Sequence, residues 1–173
     1  MKKTSLLLTV LSLMFITDNS VFGQNEHRVN ETAPSEITIS MKRDGFPCGY
    51  LPAKKELSNC PAYSIVIAND GMVIYEGIMG VKARGKRTFV IPTEQVKELV
   101  ADFERIKFFD LQDKYTEKRL SDGSVRTIDH SNGTTITLKI GNKTKSVYNF
   151  YGAPEELTAL QEKLDDISKH LQR

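Results

Sequence analysis

Alternating apolar and polar residues predict two β-hairpins in this chain. Between Cys60 and Gly77, two β-branched runs flank Asp70-Gly71, a pair typical of a type I′ turn, because that turn needs positive φ at both central residues. A two-residue loop there would pair Ile67 with Ile74. It would place Tyr63, Ile65, Ile67, Met72, Ile74 and Ile78 on one face of the hairpin and Val66, Val73 and Tyr75 on the other. Since both faces are largely apolar, we expect this hairpin inside a sheet and not at its rim.

The second hairpin is predicted over residues 134–150. Thr134 to Ile140 alternates polar and apolar residues, Gly141-Asn142 fits a type II′ loop, and Lys143 to Phe150 returns antiparallel. Unlike the first hairpin, this one should expose one face to water.

An amphipathic helix is predicted after each hairpin. The first should begin with Thr93 as its N-cap and the second with Pro154 as its first helical residue. Apolar residues recur in both at three- and four-residue steps. They are Val96, Leu99, Val100, Phe103 and Ile106 in the first helix and Leu157, Leu160, Leu164, Ile167 and Leu171 in the second.

The order hairpin–helix, hairpin–helix predicts an α+β domain, with an antiparallel sheet and both helices packed on one face. Strands are also predicted at Ile37–Met41 and Thr88–Ile91, and a loop at Asp44–Asn59. Parallel doubly wound folds are disfavoured, because the strands come in tight hairpins and not in β–helix–β crossovers.

The first residues read as a secretory signal peptide over residues 1–23. Lys2 and Lys3 precede an apolar run from Leu6 to Ile16, which is too short to span a bilayer, and Val21-Phe22-Gly23 suits cleavage before Gln24. A buried core helix is the alternative. Residues 24–36 are polar and form a predicted flexible leader, and residues 37–173 form one domain. We therefore expect an exported protein, periplasmic or secreted, with no transmembrane segment after signal removal.

Export changes how the two cysteines are interpreted. Cys48 and Cys60 are the only pair, and an oxidising compartment favours a disulfide between them. Closing a loop of this length would stabilise the fold by roughly 3 kcal/mol. A redox or zinc role is the alternative, but the spacing is not Cys-x-x-Cys and no histidine lies nearby.

Charge argues against a nucleic-acid partner. The chain carries a net charge of +2, and loss of Lys2, Lys3 and Asp18 with the signal peptide leaves +1. Binding to phosphates needs a concentrated positive field. The one candidate cluster is Lys82, Arg84, Lys86 and Arg87, and three of these alternate with Val81, Ala83 and Gly85 as on the wet face of a strand.

Catalytic signatures are few. The sequence has no P-loop, dinucleotide fingerprint, nucleophile elbow or His-Glu-x-x-His motif, so we expect no cofactor and no metal. Asp129-His130 is the one pair that could serve a small hydrolase, since general acid–base catalysis requires such groups. A polar pair at a strand end is the simpler interpretation.

Several spaced motifs occur together along the chain. They are Cys60-Pro-x-Tyr-Ser-Ile-x-Ile, Asp70-Gly71, Tyr75-Glu76-Gly77, Gly85, Gln95-Val96-x-x-Leu99-Val100-x-x-Phe103, Phe108-Phe109-x-Leu111-x-Asp113-x-Tyr115 and Gly152-Ala153-Pro154-x-x-Leu157. Together these motifs resemble the exported bacterial proteins of domain-of-unknown-function family 6438. The resemblance runs from Ile37 to Leu171 and supports the fold, export and disulfide, while implying no activity. One departure is the insertion of residues 49–59 between two cysteines that the family keeps closer together.

These features favour a non-enzymatic binding or interaction module of the cell envelope over the hydrolase. Its partner would be an envelope protein. The sheet face opposite the helices, with Tyr75 and Tyr148, is the predicted interaction face.

Overall fold

The alternating segments of the sequence form the strands of one large sheet. The computed structural model describes residues 36–45, 47–51, 56–59, 61–128 and 132–169, with the backbone alone described for 47–51 and 56–59. In chain order its strands are β1 (Ile37–Asp44), β2 (Pro47–Leu51), β3 (Glu56–Asn59), β4 (Ala62–Ala68), β5 (Met72–Met79), β6 (Gly85–Val90), β7 (Lys114–Thr116), β8 (Lys118–Arg119), β9 (Val125–Arg126), β10 (Thr134–Ile140) and β11 (Lys143–Tyr151). The helices are α1 (Thr93–Arg105), a 3-10 turn (Phe108–Asp110) and α2 (Glu155–Lys169).

Seven strands form the large sheet in the order β6-β5-β4-β1-β10-β11-β7. All neighbours are antiparallel except β11 and β7, which run parallel. The predicted α+β architecture is therefore confirmed, and the first hairpin lies inside the sheet as expected. The prediction of a plain loop over Asp44–Asn59 is wrong, because β2 and β3 pair there as a separate two-stranded sheet.

Both helices cover the same face of the large sheet. Their apolar stripes meet the inward side chains of β1, β4, β5, β10 and β11 in one core, because burial of these two surfaces against each other removes both from water. The fully enclosed members include Ile39, Met41, Ile65, Ile67, Val73, Tyr75, Phe103, Ile136, Leu138, Val147, Leu157 and Leu164.

The register of the first hairpin differs from the prediction by one residue. Ile67 pairs with Val73, not with Ile74. The loop has three residues: the Gly71 N–H donates to the Ala68 carbonyl (3.0 Å), and Gly71 alone in the loop has positive φ (87°). This is a turn closed by a left-handed glycine and not a type I′ turn. Because side chains alternate, the slip brings Val73 into the core and turns Ile74 outward.

The second hairpin has the predicted register. Ile140 pairs with Lys143 across a two-residue loop, and Gly141 has a φ of 56°, as the first central residue of a type II′ turn requires. Both helix starts differ from the prediction by one residue. Pro92 occupies the N-cap of α1 in place of Thr93, and the Pro154 carbonyl accepts the Leu157 N–H (3.1 Å) just before α2 begins.

Candidate functional site

The face of the large sheet opposite the helices is hereafter the open face. The prediction that Tyr75 belongs to it is wrong: Tyr75 is 0% exposed and packs in the core, with its ring centroid 5.7 Å from that of Tyr63. The cause is the one-residue slip in the first hairpin, which exchanges the two faces of β5. Tyr148 does lie on the open face, half-buried.

Cross-strand pairing arranges the open face in rows. The row through the middle of the sheet reads Thr88, Ile74, Val66, Ser40, Thr137 and Ser146 from β6 to β11. Its β5 and β4 members are apolar, whereas its members on β6, β1, β10 and β11 are hydroxyl residues, two of which bond to each other (Thr137 Oγ1 to Ser146 Oγ, 2.7 Å). The large apolar side chains of the open face thus lie on β4, β5 and the end of β6, hereafter the apolar half, and β1, β10 and β11 form the polar half.

The apolar half carries large side chains that nothing in the described part of the chain covers. Val90 is 74% exposed, Ile78 54%, Met72 40% and Val66 36%, and Ile74 is half-buried between them. Val90 pairs with Met72, and Ile74 with Val66. We name these five residues, Val66, Met72, Ile74, Ile78 and Val90, the apolar patch.

Tyr148 of β11 is the tyrosine of the polar half of the open face, where it lies opposite Thr135. A Cβ on Gly133 would overlap the Tyr148 ring, so the tyrosine packs directly on the Gly133 backbone. Lys114 Nζ lies 5.8 Å from the ring centroid, within reach of a weak cation–π contact. Burial, and then the negative charge of Asp44, raises the pKa of Tyr148.

A polar layer lies on the covered face at one end of the sheet, under α2. Tyr63, Arg43, Thr134 and Asn149 are successive cross-strand neighbours on β4, β1, β10 and β11. Gln161, Asp165 and Ser168 of α2 face this end of the sheet. Arg43 donates from both Nε (2.9 Å) and Nη2 to Asp165, the Tyr63 hydroxyl donates to the same carboxylate, and Asn149 donates to Gln161 (3.0 Å).

Burial and contacts within the polar layer determine the protonation states of Tyr63 and Arg43. Burial, first, and the hydrogen bond to Asp165, second, raise the pKa of Tyr63. Burial lowers the pKa of the Arg43 guanidinium, but its hydrogen bonds and charge attraction to Asp165 outweigh burial and leave the pKa raised. Tyr63 therefore stays neutral and Arg43 stays charged. A cleft of about 220 Å³ runs past these groups, lined also by Pro61, Ser168 and Lys169.

A second buried carboxylate joins the two helices. Asp102 of α1 is 5% exposed, and it accepts from Lys163 of α2 and from Arg105 (2.6 Å). Burial raises the pKa of Asp102, but these two cations outweigh burial and hold it below its ordinary value. The contact fixes α1 against α2 at the surface of the core.

Several predicted site residues lie outside the described residues. Cys60, Asp129 and His130 are among them, and for Cys48 only the backbone is described. The disulfide and the Asp129–His130 pair therefore stay predictions, as does the signal peptide over residues 1–23. Among the described residues, no three His, Cys, Asp or Glu side chains are placed to hold a metal ion together. Within the same ranges, no helix combines the length and apolar character that a membrane crossing requires.

Fold and surface together define an α+β domain with one helix layer on a seven-stranded sheet, and no helix of the described residues packs on the other face. A family model described as "Domain of unknown function (DUF6438)" matches residues 57–168. The match spans more than half of the chain, so the protein belongs to this family. No curated protein matched the sequence. The matched range begins after β1, although β1 is the middle strand of the sheet.

The sequence reasoning missed the polar layer and most of the apolar patch. Arg43 could have been found, because it continues the inward alternation of Ile39 and Met41 along β1. Asp165 gave no such signal, because it sits beside Leu164 on the edge of the apolar stripe of α2. The patch required the true register of the first hairpin, since the predicted register assigned Ile74 and Val66 to opposite faces.

Proposed function

We propose that this protein is an exported, non-enzymatic binding module of the cell envelope, and that the apolar patch is its docking surface. The observation that carries the proposal is the division of the open face into an apolar and a polar half. Both halves belong to the same sheet, and neither described helix packs on them. Packing among the described residues therefore does not account for the difference between them.

Contiguous apolar surface on a folded domain usually marks a place where a partner or ligand binds. Four members of the apolar patch are neighbours: Met72 pairs with Val90, Ile74 pairs with Val66, and Met72 and Ile74 are two residues apart on β5. Glu76, which faces Lys86, lies at the margin of these four and separates Ile78 from them. An apolar centre with charged residues at its margin is the usual composition of a protein–protein interface. An envelope protein with a matching apolar surface is the partner we propose.

Buried ionisable groups on the described residues have structural partners, which supports a binding role over catalysis. Arg43 is paired with Asp165, and Asp102 with Lys163 and Arg105. Such mutual pairing satisfies each charge within the fold. The hydrolase that would use Asp129 and His130 stays a prediction, and no contact among the described residues favours it.

Site-specific photo-crosslinking tests the docking surface. A photoreactive amino acid replaces Val66 in the apolar half or Thr137 in the polar half, two positions in one cross-strand row. In cells expressing the full chain, illumination should give a discrete adduct from position 66 that is absent from position 137. Adducts of equal yield from both positions, or from neither, would contradict the proposal.

A further inference from the structure

Strand β6 is an edge strand of the large sheet: among the described strands it pairs with β5 alone. The Ile91 N–H donates to the Gly71 carbonyl (2.9 Å), which continues the β5–β6 register past Val90. Bonded and non-bonded pairs alternate in an antiparallel ladder, so Phe89 and Arg87 bond to β5. The backbone groups of Lys86, Thr88 and Val90 therefore point away from the sheet.

The same edge continues the apolar patch. Val90, Thr88 and Lys86 lie on the open face, opposite Met72, Ile74 and Glu76 of β5. A strand added beside β6 would place alternate side chains next to Val90, the most exposed member of the patch. A single ligand would then gain both backbone hydrogen bonds to β6 and apolar contact with Val90.

Charge on β6 and on the loop before it is mostly positive. Lys86 and Arg87 of β6 and Lys82 and Arg84 of the loop are all exposed, and no aspartate or glutamate occurs between residues 77 and 93. One opposite charge, Glu76 of β5, faces Lys86. Lys86 and Arg87 stand at the beginning of β6, whereas Val90 stands at its end. A ligand that matches this pattern is extended, apolar at one end and acidic at the other.

We propose that β6 binds an extended acidic peptide segment of a partner protein, which adds to the large sheet as an antiparallel edge strand. The inference rests on the proposed docking surface and specifies the partner segment that occupies its margin. Binding by strand addition takes affinity from main-chain hydrogen bonds and specificity from alternate side chains. Charge on edge strands also serves to prevent edge-to-edge aggregation, a role that predicts no binding of the acidic probe described below.

A synthetic peptide tests the proposal directly. The probe is the end-capped hexapeptide Val-Thr-Val-Glu-Glu-Asp, which in antiparallel register sets valine beside Val90 and glutamates beside Arg87 and Lys86. Titrated into the isotope-labelled full chain, it should shift the amide resonances of Lys86, Thr88 and Val90 and slow their hydrogen exchange. The same peptide with three lysines in place of its acidic residues should bind at least tenfold more weakly.

A proline substitution separates strand addition from simple charge attraction. Thr88→Pro removes an outward N–H and leaves the bonds to β5 intact, as edge strands allow. It should weaken peptide binding at least tenfold, while Thr88→Ala changes it by less than threefold. If Thr88→Pro fails to fold, a probe N-methylated on the residues that bond to β6 makes the same test with the unaltered protein.

Results that assign the β6 edge to another ligand would overturn the proposal. Equal binding of the proline and alanine variants, or tighter binding of a single-stranded hexanucleotide than of the probe, would show a cationic surface without strand addition. Concentration-dependent dimerisation abolished by Thr88→Pro, with no binding of the probe, would assign the edge to a second copy. A crosslink at position 66 that persists in Thr88→Pro would leave the docking surface standing and refute the added strand.

Discussion

The two faces of the large sheet differ in which side chains they bury: the covered face buries charged residues, and the open face exposes apolar ones. On the covered face, Arg43 and Asp165 are largely buried within the polar layer and satisfied by each other. On the open face, Val90 and Ile78 meet solvent while hydroxyl residues fill the far half. Burial follows from position on the sheet and not from residue type. Residues whose type disagrees with their position therefore mark either a structural contact or a binding surface.

The comparison predicts the largest effect for Asp165→Ala on the covered face. Removing this carboxylate leaves the Arg43 charge and the Tyr63 hydroxyl without their partner, and breaking one side of a buried pair costs about 3–5 kcal/mol. Chemical denaturation should show that loss in the free energy of unfolding. Asp166→Ala is the matched control, because its ion pair with Lys169 is exposed, and it should change stability by at most about 0.5 kcal/mol. Similar losses in both variants would refute the structural role of the polar layer.

The same valine-to-threonine substitution, made once on each face, compares the two faces at constant side-chain volume. Val73 on β5 is fully buried, and Val66 on the neighbouring strand faces outward. Val73→Thr should lower the free energy of unfolding by about 1–3 kcal/mol, because it buries a hydroxyl in the apolar core. Val66→Thr should change it by no more than about 0.5 kcal/mol. Equal effects would indicate the register with a two-residue turn, in which the two valines share a face.

Tyr63→Phe should have the smallest effect at neutral pH, about 1 kcal/mol for the lost hydrogen bond. Its pH dependence is more specific. The raised pKa of Tyr63 means that above pH 10 the unfolded chain releases the phenol proton while the folded protein keeps it. Stability should therefore fall as pH rises above 10, by up to about 1.4 kcal/mol per pH unit. Tyr63→Phe should flatten that decline, measured by denaturation between pH 9 and 11, more than Tyr148→Phe does. An unchanged slope would contradict the burial of Tyr63.

Local sequence patterns predicted the architecture. The features that they did not predict depend on contacts between residues distant in sequence. Gly141-Asn142 determines its hairpin register by itself, because its two residues suffice for the turn. Asp70-Gly71 is compatible with either a two- or a three-residue loop. In the folded chain the Gly71 carbonyl accepts a hydrogen bond from Ile91, some twenty residues away, and no local pattern encodes that contact. The apolar patch could not be predicted for the same reason, because it follows from the register of the first hairpin. The pairing of Asp165 with Arg43, which are 122 positions apart, could not be predicted either.

The position of β1 has a consequence for how the chain folds. Among the described strands of the large sheet, β1 lies between two hairpins that are distant in sequence, β4–β5 and β10–β11, and bonds to both. Ile39, for example, pairs with Ile67 on one side and with Leu138 on the other, so its second edge stays unpaired until β10 has been made. Contacts of such long sequence separation slow folding, because loop closure precedes any gain from pairing. During synthesis, completion of the sheet must follow translation of nearly the whole domain, and until then one edge of β1 has no strand to pair with.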